Sequence, residues 1–184
     1  MRFKIFKFKQ VKSTNDTAIR IIKKTNLNCG IVYSELQNAG RGQYGKKWIS
    51  QKGNLFISFF YNLENFNISL KRLTVLNSSF VKKFLSKYYK KKIIFKKPND
   101  LVIEKKKICG ILQETINKLN NSYLIVGIGI NLVKNPYIKN YNTTNLYDLT
   151  KKKLSKKIAL NELKEIFEIN LNKVNRGKKI IKWI

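Results

Sequence analysis

The sequence has no histidine, two cysteines, two prolines and only ten acidic residues among 184. Without histidine there is no H-R-D catalytic loop of the protein-kinase type, and no D-F-G is present either. Cys29 and Cys109 stand alone, with no C-x-x-C. That argues against a zinc site or a disulfide framework and suits a reducing compartment. No apolar run approaches the ~18 residues of a membrane span. The N-terminal residues 1–9 alternate cationic and apolar side chains and lack the apolar core of a signal peptide. A cytoplasmic protein with no membrane association is therefore expected. At 184 residues and 43% apolar, one globular domain is the default.

The shortage of acids leaves a net charge of +29. Only five of the 39 basic residues are arginine, and the lysines run from end to end. Asparagine and isoleucine are abundant too, as AT-rich codons would make them. The charge thus reads as compositional drift before it reads as a nucleic-acid surface. Either origin attracts RNA or acidic proteins.

What is present is concentrated in one stretch, Gln37-Asn38-Ala39-Gly40-Arg41-Gly42-Gln43-Tyr44-Gly45-Lys46-Lys47-Trp48. Three of the nine glycines fall here, with three cations and two aromatics between them. Glycines let backbone amides turn toward an anion, arginine adds a planar fork, and tryptophan adds a flat face. A nucleotide, or another anion bearing a flat group, is the expected ligand. Gly40, Gly42 and Gly45 also spell G-x-G-x-x-G, which is weak alone. A dinucleotide fold needs a helix directly after the glycines. Residues 30–35 and 54–61 instead read as strands on either side, so an ordinary glycine-rich hairpin loop stays open at this point.

Residues 2–11 alternate as a first strand. Ser13, with Asp16 three residues on, caps a short helix to about Lys24. Leu70, Leu73, Leu76, Phe80, Phe84 and Tyr88 recur at helical spacing, predicting a long helix over 69–90. Residues 93–95 return to strand character. Residues 101–103 and 108–115 flank Glu104-Lys105-Lys106-Lys107 as a hairpin, and residues 123–126 form a further strand ending at Asn131. Residues 135–153 read as polar and irregular, and Ile158, Leu160, Leu163, Ile166, Phe167 and Leu171 mark a last helix. Strands with few helices between them predict an α+β fold, a mixed, largely antiparallel sheet covered by helices.

Further candidate sites are weak singly. Lys96-Lys97-Pro98-Asn99-Asp100 reads alone as a turn. Lys105-Lys106-Lys107 reads as a solvated run, although Lys107 leads into a buried strand. Gly127 and Gly129 permit close backbone approach. Ser13, Thr14 and Asn15 read as cap and first turn.

In this order, however, the chain resembles the catalytic domain of biotin–protein ligases. The matching pieces are Ser13-Thr14-Asn15, Gln37 with the glycine loop to Trp48, Lys96-Lys97-Pro98-Asn99-Asp100, Lys107-Ile108-Cys109-Gly110-Ile111-Leu112 and Gly127-Ile128-Gly129-Ile130-Asn131. They cover residues 10–132. The resemblance implies a fold related to class II aminoacyl-tRNA synthetases and lipoate ligases. It implies a reaction of biotin with ATP to biotinyl-5′-AMP, then transfer to a lysine of a biotin carboxyl carrier protein with an acidic acceptor domain, such as an acetyl-CoA carboxylase subunit. Mg2+ would accompany ATP.

By position, the resemblance assigns Arg41 and Lys107 as catalytic. Ser13, Thr14, Asn15, Gln37, Arg41, Gly42, Gln43, Lys107 and Gly110 would bind biotin. Gly40, Arg41, Gly42, Gln43, Trp48, Lys96, Asn99 and Asn131 would bind ATP or the adenylate. Metal ligands are not assigned. Catalysis by positioning and charge neutralisation is consistent with the lack of histidine. Three departures from the family pattern stand out. Gln43 replaces an arginine that helps retain the adenylate, and Lys97 replaces a tryptophan. The chain reads as one catalytic domain over 1–184, with neither a C-terminal SH3-like domain nor an N-terminal helix-turn-helix. Operon repression and specific DNA binding are thus not expected, while a weak homodimer stays open. A lipoate or octanoate ligase of the same fold, and a non-enzymatic basic RNA-binding module, are the rival readings.

Overall fold

The computed structural model describes residues 1–64, 66–139 and 141–176. The last residues of the expected 1–184 domain lie outside these. Elements run β1 (Lys4–Val11), α1 (Thr14–Lys24), β2 (Cys29–Gln37), β3 (Leu55–Asn62), α2 (Leu70–Tyr88), β4 (Ile94–Lys96), β5 (Asp100–Ile103), β6 (Lys106–Lys118), β7 (Asn121–Ile130), α3 (Leu146–Thr150) and α4 (Lys156–Asn175). A short 3-10 turn at Gln43–Gly45 lies between β2 and β3. The seven strands form one sheet in the order β1-β2-β3-β7-β6-β5-β4. Only β1–β2 is parallel, and the other neighbours are antiparallel. This is the mixed, largely antiparallel sheet expected from the strand pattern.

Period-two alternation sorts the strand residues onto two faces. Ile57, Phe59 and Tyr61 of β3 and Leu124, Val126, Ile128 and Ile130 of β7 join the larger core. There α2 and α4 supply Leu73, Phe80, Phe84, Leu163 and Phe167. Phe167 stacks on Phe59 at 4.0 Å and meets Phe80 edge-on at 5.3 Å. Such pairs add roughly 0.5–1.5 kcal/mol each beyond area burial. On the opposite face Val32, Phe60, Tyr123 and Ile125 pack against Ala18 and Ile22 of α1. This helix starts where the sequence places it. Ser13 is extended and its hydroxyl accepts from the Asp16 amide at 3.3 Å. The Asp16 carboxylate turns to Arg41.

α1 does not cover all of its face. Beyond Ile125 the next two outward positions of β7 are Gly127 and Gly129, and Gly110 of β6 lies opposite Gly129. Small residues here leave a hollow over the middle of the sheet, and the hollow is the candidate site.

Two local readings change. The four-residue turn expected at 104–107 is a two-residue turn in which Glu104 and Lys105 have φ of 49° and 62°. This backbone matches the twist of the flanking strands, so β6 starts at Lys106 and runs to Lys118. Residues 135–153, expected to be irregular, contain α3. Asn145 caps it by accepting from the Asp148 amide at 2.8 Å, and Leu146 buries beneath it. Five residues are too few to show helical periodicity.

Candidate functional site

A cleft of about 540 Å³ opens over the glycine floor. Its lid is the loop after β2. The amide of Gly42 donates to the Lys46 carbonyl at 2.6 Å and that of Trp48 to the Gly40 carbonyl at 2.9 Å. The loop is thus a small hairpin, with Tyr44 at its tip in left-handed backbone at φ 55°. It lays the Trp48 indole flat on the floor. A β-carbon at Gly110 would stand 2.6 Å from Trp48 Cζ3, and one at Gly129 2.5 Å from Cζ2. One at Gly127 would stand 2.9 Å from Asn15 Cγ. Only glycine admits these neighbours. The indole Nε1 and Gln43 Oε1 are buried with no protein partner. Buried polar atoms of that kind are normally satisfied, so both suit a ligand.

One end of the cleft is a hydrogen-bond network of uncharged side chains that runs into an ion-pair cluster. The Thr14 amide donates to Gln37 Oε1 at 2.8 Å, as does the Thr14 hydroxyl at 3.0 Å. Gln37 Nε2 reaches the Ser50 hydroxyl at 3.2 Å. Ser58 lies 2.8 Å from the Thr14 hydroxyl and donates to Asn15 Oδ1 at 2.5 Å. Asn15 Nδ2 donates to Glu114 Oε2 at 2.6 Å. Ser13, Thr14, Asn15 and Ser58 are buried. The network continues into Arg41, whose two terminal nitrogens meet both Glu114 oxygens at 2.8 Å. One of them also meets Asp16 at 2.7 Å. The bonds to Glu114 hold the Arg41 guanidinium protonated even beyond its usual range, against the opposing effect of partial burial.

The other end is cationic and aromatic. Lys107 Nζ lies 2.6 Å from Asp100 Oδ1, an ion-pair contact lacking hydrogen-bond geometry. It also lies 5.3 Å from the Trp48 ring centre and 5.6 Å from that of Tyr141. Lys96 sits 4.7 Å from the Tyr141 ring. Such cation–ring contacts are worth about 0.5–2 kcal/mol, depending on desolvation. The Tyr141 hydroxyl donates to Asp100 Oδ2 at 2.9 Å. Burial, and then this carboxylate, push the hydroxyl's pKa well up, so it stays a donor. Cys109, fully buried beneath, has its thiol pushed up by burial and is no nucleophile.

The sequence-predicted residues Ser13, Thr14, Asn15, Gln37, Arg41, Gly42, Gln43, Trp48, Lys96, Asn99, Lys107 and Gly110 all line this cleft. Gly40 and Asn131 are not among its lining residues. Gly40 closes the base of the loop hairpin, where a β-carbon would stand 2.7 Å from the Trp48 carbonyl. Asn131 is buried beneath the site. Its Nδ2 donates to the Thr144 carbonyl at 3.1 Å and its Oδ1 accepts from Asn54 at 3.4 Å. It holds the segment after β7 in place. Sequence reasoning missed Glu114 and Tyr141. Glu114 follows Gly110 and Leu112 by strand alternation, a usable signal. Tyr141 had none, because it arrives through a tertiary bridge between Lys107 and Thr143.

Residues 7–131 match the family model of the biotin/lipoate A/B protein ligases. The bifunctional ligase/repressor BirA of Escherichia coli is 36% identical over 101 residues, covering 54% of this chain and 32% of that protein. BirA of Salmonella typhimurium is 32% identical over 135 residues, covering 67% of this chain and 42% of that protein. The chain thus spans less than half the length of these curated relatives. Among solved structures, the Aquifex aeolicus biotin protein ligase in complex with biotin and ATP superposes with a TM-score of 0.79 at 30% identity. That match covers 95% of this chain and 73% of that one. The Leishmania major enzyme in complex with biotinyl-5-AMP shares the fold, with a TM-score of 0.78 at 22% identity over 97% of this chain and 84% of that one. The matched segment runs from β1 to the end of β7 and carries the loop and floor of the cleft, and on that ground the chain belongs to the biotin/lipoate A/B protein ligase family.

Proposed function

We propose that this chain is a biotin–protein ligase catalytic unit, spanning 1–184. It would activate biotin with ATP and pass the biotinyl group from biotinyl-5′-AMP to a lysine on a biotin carboxyl carrier protein. The observation that carries the reading is the polarity of the cleft. One end presents neutral donors and acceptors on Thr14, Asn15 and Gln37, and the other presents Lys107 and Lys96. A cyclic urea with one carbonyl and two N–H groups matches the first end in kind. A dithiolane ring has no such groups and would form no hydrogen bonds with those side chains, and a site of polar side chains discriminates against a ligand that lacks the matching groups. Biotin is therefore favoured over lipoate.

In the first step a biotin carboxylate oxygen attacks the α-phosphorus of ATP, and the bond to pyrophosphate breaks. Two anions must meet, so Lys107 and Lys96 would offset their repulsion. The unpartnered Trp48 Nε1 and Gln43 Oε1 would bond the ligand, and the Trp48 and Tyr141 rings would offer it flat faces. In the second step the amine of the acceptor lysine attacks the acyl carbonyl, AMP leaves, and the amine gives up a proton to solvent.

Among the described residues no group of three His, Cys, Asp or Glu side chains could hold a metal ion. Magnesium nevertheless binds readily through one carboxylate and substrate phosphates while keeping its waters. Asp100, the acid that lines the cleft, fits that mode. Mg2+ would arrive with ATP and neutralise phosphate charge. No helix among the described residues is long and apolar enough to cross a membrane, and the reading places the protein in the cytoplasm.

The test is pyrophosphate release by purified protein with Mg-ATP, followed by mass spectrometry of an acceptor domain. Release only with biotin, and an acceptor heavier by one biotinyl group, are expected. Release with lipoate but not biotin would move the assignment to the sister activity.

A further inference from the structure

Arg41 carries the expected anion fork of the glycine loop, yet its fork is already engaged. Both Glu114 oxygens and one Asp16 oxygen lie 2.7–2.8 Å from its terminal nitrogens. One guanidinium and two carboxylates give this cluster a formal charge of −1, in a chain whose net charge is +29. The neutral end of the cleft therefore ends in net negative charge, opposite the lysines.

The cluster also closes a circuit. Hydrogen bonds run from Ser50, just after the loop, through Gln37, Thr14, Ser58 and Asn15 to Glu114. From Glu114 they return to Arg41, at the start of the loop. Both roots of the lid are thus tied to the side chains that would read the ligand ring. Glu114 is the junction, since among the described residues it alone accepts from both Asn15 and Arg41.

We propose that Glu114 is a positioning residue, supported by Asp16. It makes Arg41 a strut that fixes the glycine loop to the sheet, and it couples closure of that loop to occupancy of the ring end. Contact with the ligand's carboxylate and phosphate falls to the lysines at the far end. The role of the ring end rests on the biotin reading, but the strut itself does not. Paired charge-assisted hydrogen bonds of this geometry are the stronger kind in proteins. The amides of Gly42, Lys46 and Trp48, bonded within the loop, report on its closure.

The experiment has two arms, with Glu114→Gln, Arg41→Lys and the double variant. In the first, amide hydrogen exchange at Gly42, Lys46 and Trp48 is followed without ligand. Each single variant should raise exchange there about tenfold, a loss of about 1.4 kcal/mol. The double variant should be no worse than either single one, because both break one strut. In the second, biotin-dependent ATP–pyrophosphate exchange should show biotin KM raised about tenfold and kcat at saturating substrates changed less than about twofold. Glu162→Gln, at an ion pair with Lys87 away from the cleft, is the control. Should Glu114→Gln fold poorly, Asp16→Asn, which removes one leg of the strut, should give a smaller rise at the same amides. Loop exchange unchanged in Glu114→Gln, or an additive double variant, overturns the proposal. Wild-type protein that exchanges pyrophosphate without biotin overturns the biotin reading instead, and the first arm still decides the strut.

Discussion

Replacing Gly129 with alanine probes the floor of the cleft directly. The new β-carbon would stand 2.5 Å from Trp48 Cζ2. Carbon atoms in ordinary contact sit about 3.5–4 Å apart, so the indole must retreat by about 1 Å. Nothing else needs to move first, since that floor position faces the loop. Overpacking of this kind costs about 1–3 kcal/mol. Trp48 belongs to the closed form of the loop, so the cost falls on closure, and ligand affinity should fall about 5- to 150-fold. In a Trp48→Ala background the ring is gone, and the same change should cost almost nothing. The double-mutant cycle over Gly129→Ala and Trp48→Ala should therefore show a coupling of about 1–3 kcal/mol, read as biotin and ATP affinity by calorimetry and as unfolding midpoint in urea. Independent sites add to within about 0.5 kcal/mol. Coupling inside that scatter, by both readouts, would refute the placement of the indole on the glycines.

Lys107→Ala should lower adenylation about 10²–10³-fold, whereas Lys105→Ala and Lys106→Ala should do little. Equal effects from all three, in single-turnover assays, would mean that the run is only a solvated face. Gln43→Arg should slow release of biotinyl-AMP, measured by rapid dilution, because it adds a charge-assisted contact of about 1.5–3 kcal/mol; unchanged release would show that Lys46 or Lys47 already supplies it. Burial holds the Tyr61 hydroxyl far above the ordinary 10.0 of tyrosine. The unfolded chain thus ionises first, the native state binds more protons above about pH 10, and stability should fall there by about 1.4 kcal/mol per pH unit for this group. Tyr61→Phe should remove that share of the slope in urea titrations, while costing about 1–3 kcal/mol at neutral pH by orphaning Asn77 Oδ1, now 2.9 Å from the hydroxyl.

The parts of this fold that were legible in sequence are those where one local rule acts alone. Ser13 announced α1 because a cap needs only its own hydroxyl and an amide three residues on. The helix α2 showed through its leucines and phenylalanines because one stripe faces one core. The cleft was legible through its glycines, since a floor that carries an indole tolerates nothing larger. For Asn131 the sequence holds no such signal, because a polar residue at a strand end looks the same whether it faces a ligand or a buried carbonyl. Tyr141 was invisible because its place depends on a parallel bridge from Thr143 to Lys107, which no local pattern records. The partners of the Arg41 fork, Asp16 and Glu114, leave no local trace because they come from two distant elements.

The pairing of β3 with β7 sets when the site can exist at all. Ser58 lies opposite Gly127 in that ladder, with α2 and three other strands between them in the chain. The ring-end residues Thr14, Asn15, Gln37 and Ser58 come from α1, β2 and β3, with Glu114 of β6 joining them, and the cationic end comes from β4 to β6 and the segment beyond β7. The β6–β7 hairpin can form locally within microseconds, yet alone it holds only half of a cleft. Joining the halves waits on a non-local closure, the slow kind of step in folding. During synthesis, a ligand could therefore reward the chain only once β7 has left the ribosome, and it would then stabilise the finished sheet rather than any shorter stage.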